Sequence, residues 1–142
     1  MIREANVTDV NELARLMGEL GYPTSSTEME QRFSSISSNR SYKTFVYDVE
    51  QQLVGMIGMM LAHRYEKNES YVWGVAFVVD STYRGQGIGN SLLLAAEQWA
   101  KERGANMITL NSGNRNERQE AHRFYTSRGF EGKATGYYKV LD

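Results

Sequence analysis

The chain has 142 residues, 41% of them hydrophobic, with 16 basic and 17 acidic side chains and a net charge of −1. That length and apolar content suit one domain over 1–142, and the balanced charge leaves no global field to recruit nucleic acid or an anionic membrane. With no Cys and only two His, a disulfide framework, a thiol nucleophile and a thiolate metal site are excluded, so no metal is expected. Met1-Ile-Arg-Glu-Ala lacks the apolar core of a signal peptide, and no apolar run approaches a membrane span. A cytoplasmic protein with no membrane partner is the expectation.

In chain order, a short strand is predicted around Ile2 to Glu4, then a helix capped by Thr8 or Asp9. Its core face is Val10, Leu13, Leu16, Met17 and Leu20, and Gly21 stops it. The only Pro, in Tyr22-Pro23-Thr24, breaks to a second helix over about Thr27 to Ser38, with Met29, Phe33 and Ile36 on one face. Thr44 to Val49 and Leu53 to Leu61 read as strands joined through Glu50-Gln51-Gln52, a hairpin by composition and loop length. Gly55 and Gly58 weaken the second strand and imply a close neighbour. His63 to Ser70 reads as a polar turn, and Tyr71 to Val79 as an apolar strand that completes an antiparallel half-sheet.

That strand feeds Asp80-Ser-Thr-Tyr-Arg-Gly-Gln-Gly-Ile-Gly-Asn90, a glycine-dense turn running straight into a helix. Gly85, Gly87 and Gly89 allow positive φ and close approach of a ligand to the backbone. The first turn of the next helix offers unpaired N–H groups and the positive end of its dipole, an anion site to which Arg84 adds a phosphate-compatible fork. A P-loop is excluded because no Lys lies near the loop. A dinucleotide fingerprint is excluded because the third Gly comes one residue early, with Asn90 in its place. The plain alternative is a glycine-rich helix start that binds nothing.

Beyond the loop, Ile88, Leu92, Ala95, Ala96 and Trp99 line one helical face and Gly104 ends it. Met107 to Leu110 reads as a short buried strand, parallel to Tyr71 to Val79 because a helix crossover joins them. A polar loop over Asn111 to Asn116, a helix from about Glu117 to Ser127 and two β-type pieces, Phe130 to Gly132 and Tyr137 to Leu141, complete the chain.

The spacing Arg84-x-x-Gly87-x-Gly89 resembles the acetyl-CoA loop of the GNAT superfamily of N-acetyltransferases, whose pattern is Q/R-x-x-G-x-G/A. Leu53-Val-Gly-Met-Ile-Gly58 and Arg118-Gln-Glu-Ala-His-Arg-Phe-Tyr-Thr-Ser-Arg-Gly-Phe130 resemble two further family segments in the right order. The second of these is also similar to the branch acting on small aminoalkyl compounds, including aminoalkylphosphonates. The resemblance implies an α/β fold with a mixed, centrally splayed sheet flanked by helices, in the order β-α-α-β-β-β-α-β-α-β, with one more terminal strand left open. It also implies acetyl transfer from acetyl-CoA to a primary amine, by direct attack without an acyl-enzyme. A small-molecule acceptor is expected; a peptide acceptor and a non-catalytic acyl-CoA sensor are the alternatives, and a homodimer is left open.

By the same resemblance, acetyl-CoA would meet Phe77, Val78, Val79, Arg84, Gly85, Gln86, Gly87, Ile88, Gly89, Asn90, Asn111 and Arg118. Tyr125 occupies the family's position for protonating the leaving thiolate. A phenol near pKa 10 facing a thiolate near 8.5 loses about 2 kcal/mol on full transfer, so hydrogen bonding to developing charge comes first. The amine is harder: near pKa 10.4 only about one part in two thousand is neutral at pH 7, a cost of about 4.6 kcal/mol. Many family members carry an acid in the strand before the loop, but Tyr71 to Val79 has none. Glu69 is the nearest upstream carboxylate and the candidate base through water, with His63, Glu66 or a water wire as alternatives. His122 shares a helical face with Tyr125 and Arg118 and is read as a structural hydrogen bonder, and Asp80 as a turn former. Tyr22, Tyr65, Trp73 and Tyr137 are candidates for the substrate cleft, set against the commoner role of aromatics in a small core.

Overall fold

Four runs of strand-forming sequence follow one another with short links, and they fold as the antiparallel meander such links permit. In the computed structural model, which describes residues 1–111 and 119–141, the strands are β1 (Ile2–Glu4), β2 (Tyr42–Val49), β3 (Gln52–Ala62), β4 (Ser70–Val79) and β5 (Ala105–Leu110). They lie in the order β1-β2-β3-β4-β5. The first four pair antiparallel and β5 pairs parallel to β4, as the helical crossover requires. Helices α1 (Val10–Leu20), α2 (Ser26–Ser37), α3 (Ile88–Glu102) and α4 (Gln119–Ser127) complete the elements. The chain divides into two compact units, Met1–Leu110 and Asn111–Asp142. Among the described residues no helix is long and apolar enough to cross a membrane.

Local chemistry explains the boundaries. Asp9 stands at the N-cap position of α1, as expected, but makes no side-chain cap bond to it; the 3-10 turn ahead, Val7–Asp9, is capped by Asn6, and Asp9 reaches back to the Asn6 N–H and closes a capping box. Gly21 ends α1 at φ 106, a conformation open to Gly without strain. Ser25 and Glu28 form a second capping box at the start of α2. The hairpin loop is shorter than expected, only Glu50 and Gln51, at φ 51 and 73, and Asp48 accepts a hydrogen bond from the Gln51 N–H at 2.7 Å. Arg3 holds this corner together: it is bidentate to Asp9, with both bonds at 2.8 Å, and its Nε donates to Asp48 at 3.0 Å.

One core forms under the meander. Leu13, Leu16, Met29 and Phe33 from the first two helices meet Val46, Leu53, Met56 and Val78 from the sheet. On α3 the buried stripe is wider than expected, with Leu93 and Ala100 joining Ile88, Leu92, Ala96 and Trp99. Two expectations fail. β5 is not a buried strand: it is last in the sheet order, and Asn106 and Met107 are exposed. The pieces at Phe130 to Gly132 and Tyr137 to Leu141 form no strand, since residues 130–141 carry no regular structure. Their Tyr137, Tyr138, Val140 and Leu141 are exposed, and β-forming side chains need a surface to pack on before they fix a strand.

The two strand glycines part company. A Cβ on Gly55 would lie 2.9 Å from Leu92 Cδ1, 3.1 Å from Ile88 Cγ2 and 3.3 Å from the Val78 carbonyl oxygen. Gly55 is therefore what lets the start of α3 seat against β3. At Gly58 the nearest atom is 3.8 Å away, ordinary contact. Gly55→Ala is expected to lower the unfolding free energy by about 1–3 kcal/mol and Gly58→Ala to change it by less than about 0.5 kcal/mol, measured as urea midpoints at equal slope.

Candidate active site

β4 carries two irregularities within two residues. Its register with β3 passes from Met59↔Gly74 to Gly58↔Ala76, so Val75 is an extra residue, a β-bulge that takes it out of the ladder and bends the strand. Its parallel pairing with β5 ends at Gly74↔Leu110, whereas β4 runs on to Val79. The stretch expected to meet the cofactor's pantetheine arm thus lies beyond the reach of β5. Phe77 and Val79 are half-buried, while the Val78 side chain points into the core at 5% exposure, so Val78 can offer a ligand only backbone.

Directly after β4, Asp80 ties the glycine loop to the body. Its carboxylate Oδ1 accepts from the Thr82 N–H at 3.0 Å and the Thr82 hydroxyl at 2.9 Å, and so caps the 3-10 turn Ser81–Tyr83. The Arg15 guanidinium donates to Asp80 Oδ2 at 2.7 Å and to the Leu53 carbonyl at 2.6 Å, and its Nε donates to Glu12 at 3.1 Å. Glu12 in turn accepts from the Leu53 N–H at 3.0 Å, and the Asp80 N–H donates to the Val54 carbonyl at 2.8 Å. Asp80 is only 3% exposed. The Thr82 N–H bond, aided by Arg15 and opposed by burial, holds its pKa below the ordinary carboxylate range.

The loop itself is built for its backbone. Gly85 and Gly87 both sit at φ 81, which L side chains rarely adopt, and a Cβ on either would meet no atom within 4 Å. Conformation alone therefore demands glycine there, and the space in front is open to a ligand. α3 begins at Ile88 with no side-chain cap, and its first backbone bond runs from the Ser91 N–H to the Gly87 carbonyl at 3.0 Å. The amides of Ile88 and Gly89 precede that bond and face the loop's mouth with the dipole's positive end. Gly89 lies inside this first helical turn, not at positive φ. Arg84 is exposed and extended, its Nε 3.4 Å from the Val79 carbonyl. Gln86 is exposed; Ile88 is buried against Gly55, so it too offers only backbone.

Next to the bulge is a groove of about 520 Å³, lined by Val75 and Ala76, by Met17 and Leu20 of α1, and by the turn from Gly21 to Thr24. Tyr22, 63% exposed, lines it, as does Arg32. Of the other aromatic candidates, Tyr65 and Tyr137 are fully exposed and Trp73 is half-buried, paired in register with Met60 and Thr109.

Glu69 stands in the turn that leads into β4. It immediately precedes Ser70, is exposed, and its carbonyl accepts from Arg64 at 2.8 Å. The ten residues of β4 put about 30 Å between it and the loop. His63 and Glu66, in the same turn, are exposed as well.

The second unit holds the remaining candidates. Tyr125 is 9% exposed on α4, with edge-on ring contacts at 5.9 Å to both Phe124 and Phe130. His122 is half-buried, and its carbonyl accepts from the Thr126 hydroxyl. Asn111 is exposed; Arg118 lies outside the described residues.

The chain matches known proteins over most of its length. The family model described as the acetyltransferase (GNAT) family matches residues 9–130. The chain belongs to the GNAT acetyltransferase family. It is thereby an acetyl-CoA-dependent N-acetyltransferase by kind, one that moves acetyl to an amine. It is 28% identical over 131 residues to the uncharacterized N-acetyltransferase YhdJ of Bacillus subtilis, covering 90% of each chain. A GNAT family acetyltransferase of Staphylococcus aureus is 33% identical with a TM-score of 0.85, covering 99% of this chain and 98% of that one. Glucosamine-6-phosphate N-acetyltransferase of Arabidopsis thaliana shares the fold at a TM-score of 0.83 and 21% identity, covering 100% and 98%.

Sequence reasoning missed Arg15. Its one visible signal was the spacing of Glu12 and Arg15, three apart on a helix, which gives a local ion pair but says nothing of a strand 65 residues on. Because the pKa values of Asp80 and Asp9 are both depressed by folding, the unfolded chain binds more protons in acid, and their stabilisation is complete above about pH 4 and is lost as pH falls below it. Asp80→Asn is expected to cost about 2 kcal/mol at pH 7, a charged hydrogen-bond network softened by the partial exposure of Arg15. It should also flatten the fall in urea midpoint between about pH 4 and pH 2.

Proposed function

We propose that this chain, with 1–142 acting as one domain, transfers acetyl from acetyl-CoA to the primary amine of a small molecule. The observation that carries the proposal is the loop: two glycines at φ 81 with open space before them, leading into a helix whose first amides are uncapped. That geometry suits the pyrophosphate of acetyl-CoA, with Arg84 adding screened charge at the rim. The β4 backbone from Val75 to Val79, beyond the last β5 pair, suits the extended pantetheine arm. A groove of about 520 Å³ beside Val75 and Ala76 is of the size that small ligands fill. The fold also serves a neighbour named for an amino-sugar phosphate.

Acetyl-CoA supplies the activated acyl group as a thioester, and the chain's residues hold the reactants and manage two protons. The amine nitrogen attacks the thioester carbonyl carbon, the C–S bond breaks, and sulfur takes a proton from the Tyr125 hydroxyl, which is restored from solvent. Among the described residues lining the groove there is no carboxylate, and water is the proposed acceptor of the ammonium proton, with Glu69 as the nearest upstream carboxylate to which it could be relayed. Direct attack agrees with a chain that has no Cys.

Gly87→Val should strain the turn and push a branched side chain into the ligand's space. Calorimetry is expected to show CoA affinity reduced at least tenfold in a protein that keeps its circular dichroism; unchanged affinity removes the loop from the site. Tyr125→Phe retains the ring packing and removes only the hydroxyl. It should lower kcat by roughly 10 to 10³ with CoA affinity nearly intact, because the lost group acts as charge develops on sulfur. A wild-type kcat would make Tyr125 a packing residue alone.

A further inference from the structure

We infer that the acceptor amine carries an oxyanion, a carboxylate or a phosphonate or phosphate, and that Arg32 is the residue that reads it. The inference rests on the transferase reading above and concerns the groove beside the β4 bulge. Among the described residues lining that groove Arg32 bears the only charge; the rest are apolar, aromatic or, at Thr24, a hydroxyl. A site that selected a plain or a polycationic amine would be expected to present carboxylates, and this one presents a guanidinium.

Arg32 is also held in place. The Thr24 hydroxyl donates to the Tyr22 carbonyl at 2.7 Å and accepts from Arg32 Nη1 at 3.2 Å. The turn that brings Tyr22 and Thr24 into the groove wall thereby fixes one arm of the guanidinium, and the other arm faces Glu28 across a long, exposed ion pair. The neighbouring Glu28 does not compete strongly: Arg32 Nη2 is 3.8 Å from its Oε2, beyond hydrogen-bond range, and its Oε1 accepts the Ser25 N–H at 2.9 Å to cap α2. The ion pair of Arg32 Nη2 with Glu28 is long and exposed, so an incoming anion can displace it, and the planar fork then matches the paired oxygens of a carboxylate or phosphonate. Placing the acceptor's charge there also orients its amine, because Val75 and Ala76 form the other part of the same wall.

The test is acetyl transfer followed as CoA release with four amines: 3-aminopropylphosphonate, β-alanine, n-butylamine and putrescine. Wild-type enzyme is expected to prefer the two anionic amines by about 10 to 100-fold in kcat/KM, the range a charged hydrogen-bond pair supplies. Whether phosphonate or carboxylate leads distinguishes the two oxyanions. Arg32→Gln should erase that preference by raising KM for the two anionic amines about 10 to 100-fold more than for n-butylamine. Arg32→Glu should turn it toward putrescine, and salt should weaken the wild-type preference. Equal rates for anionic and neutral amines, or an Arg32→Gln loss shared by all four, would overturn the inference while leaving the transferase reading intact. No CoA release with any amine, from a protein that binds CoA by calorimetry, would overturn the transferase reading and this inference with it.

Discussion

The Arg15–Asp80 contact is the constraint on which the cofactor loop depends. A carboxylate at 3% exposure is tolerable only if each oxygen has donors and its charge is answered, because an uncompensated buried charge costs several kcal/mol. Here Thr82 takes one oxygen and Arg15 the other. On the proposed function the consequence reaches the ligand: four residues after Asp80 the backbone enters, at Arg84, the stretch that would receive phosphates, and a naked carboxylate there would repel them. Arg15, shared with Glu12, answers the Asp80 charge at contact and lets it contribute direction. The same guanidinium holds the Leu53 carbonyl at 2.6 Å, so α1, β3 and the end of β4 are pinned at one point, from which the loop departs at a fixed angle.

From that point β4 does two jobs that a regular strand could not combine. A flush strand between two neighbours has no backbone to give away. The bulge at Val75 and the end of the β5 pairing at Gly74 change that within two residues, so that on the proposed function one stretch of chain would border both the cofactor path and the acceptor groove. Gly55 supplies the complementary feature on β3. By having no Cβ it admits Leu92 and Ile88, which seats α3 with its first turn at the loop's mouth. Sheet irregularity, missing side chains and helix dipole thus converge on one place, and each is a local feature with a separate physical cause.

How much of this was legible depended on whether the signal was local. Gly85 and Gly87 announce their turn because other residues rarely adopt the φ of 81 found there, and α3 announces its face through its period. Arg15 was silent because its partners lie 38 and 65 residues away, and nothing in a helix's own pattern encodes a strand end. Glu69 shows the limit of reading along the chain: adjacency to β4 in sequence places it in the turn before the strand, about 30 Å from the glycine loop, and says nothing of which face it serves. The terminal β-type pieces show that alternation describes a willingness to pack, realised only against a surface. Asp80 was read correctly as a turn former, yet its burial and its ion pair could not be seen without the fold.

What the loop can do follows from which of its donors are permanent. Arg84 is exposed, so its attraction for a phosphate is screened over about 8 Å at physiological ionic strength and its side chain must be ordered on binding. The amides of Ile88 and Gly89 are ordered already, because α3 is fixed by a buried stripe from Ile88 to Ala100, and their orientation costs nothing when the ligand arrives. Affinity should therefore be set more by the shape of the turn than by its charge. On the proposed function, a chain of net charge −1 would hold its polyanionic co-substrate chiefly through these backbone amides. The same reasoning runs the other way in the acceptor groove, where no helix start is available and a single side chain, Arg32, must supply both the charge and its direction through the hydrogen bond to Thr24.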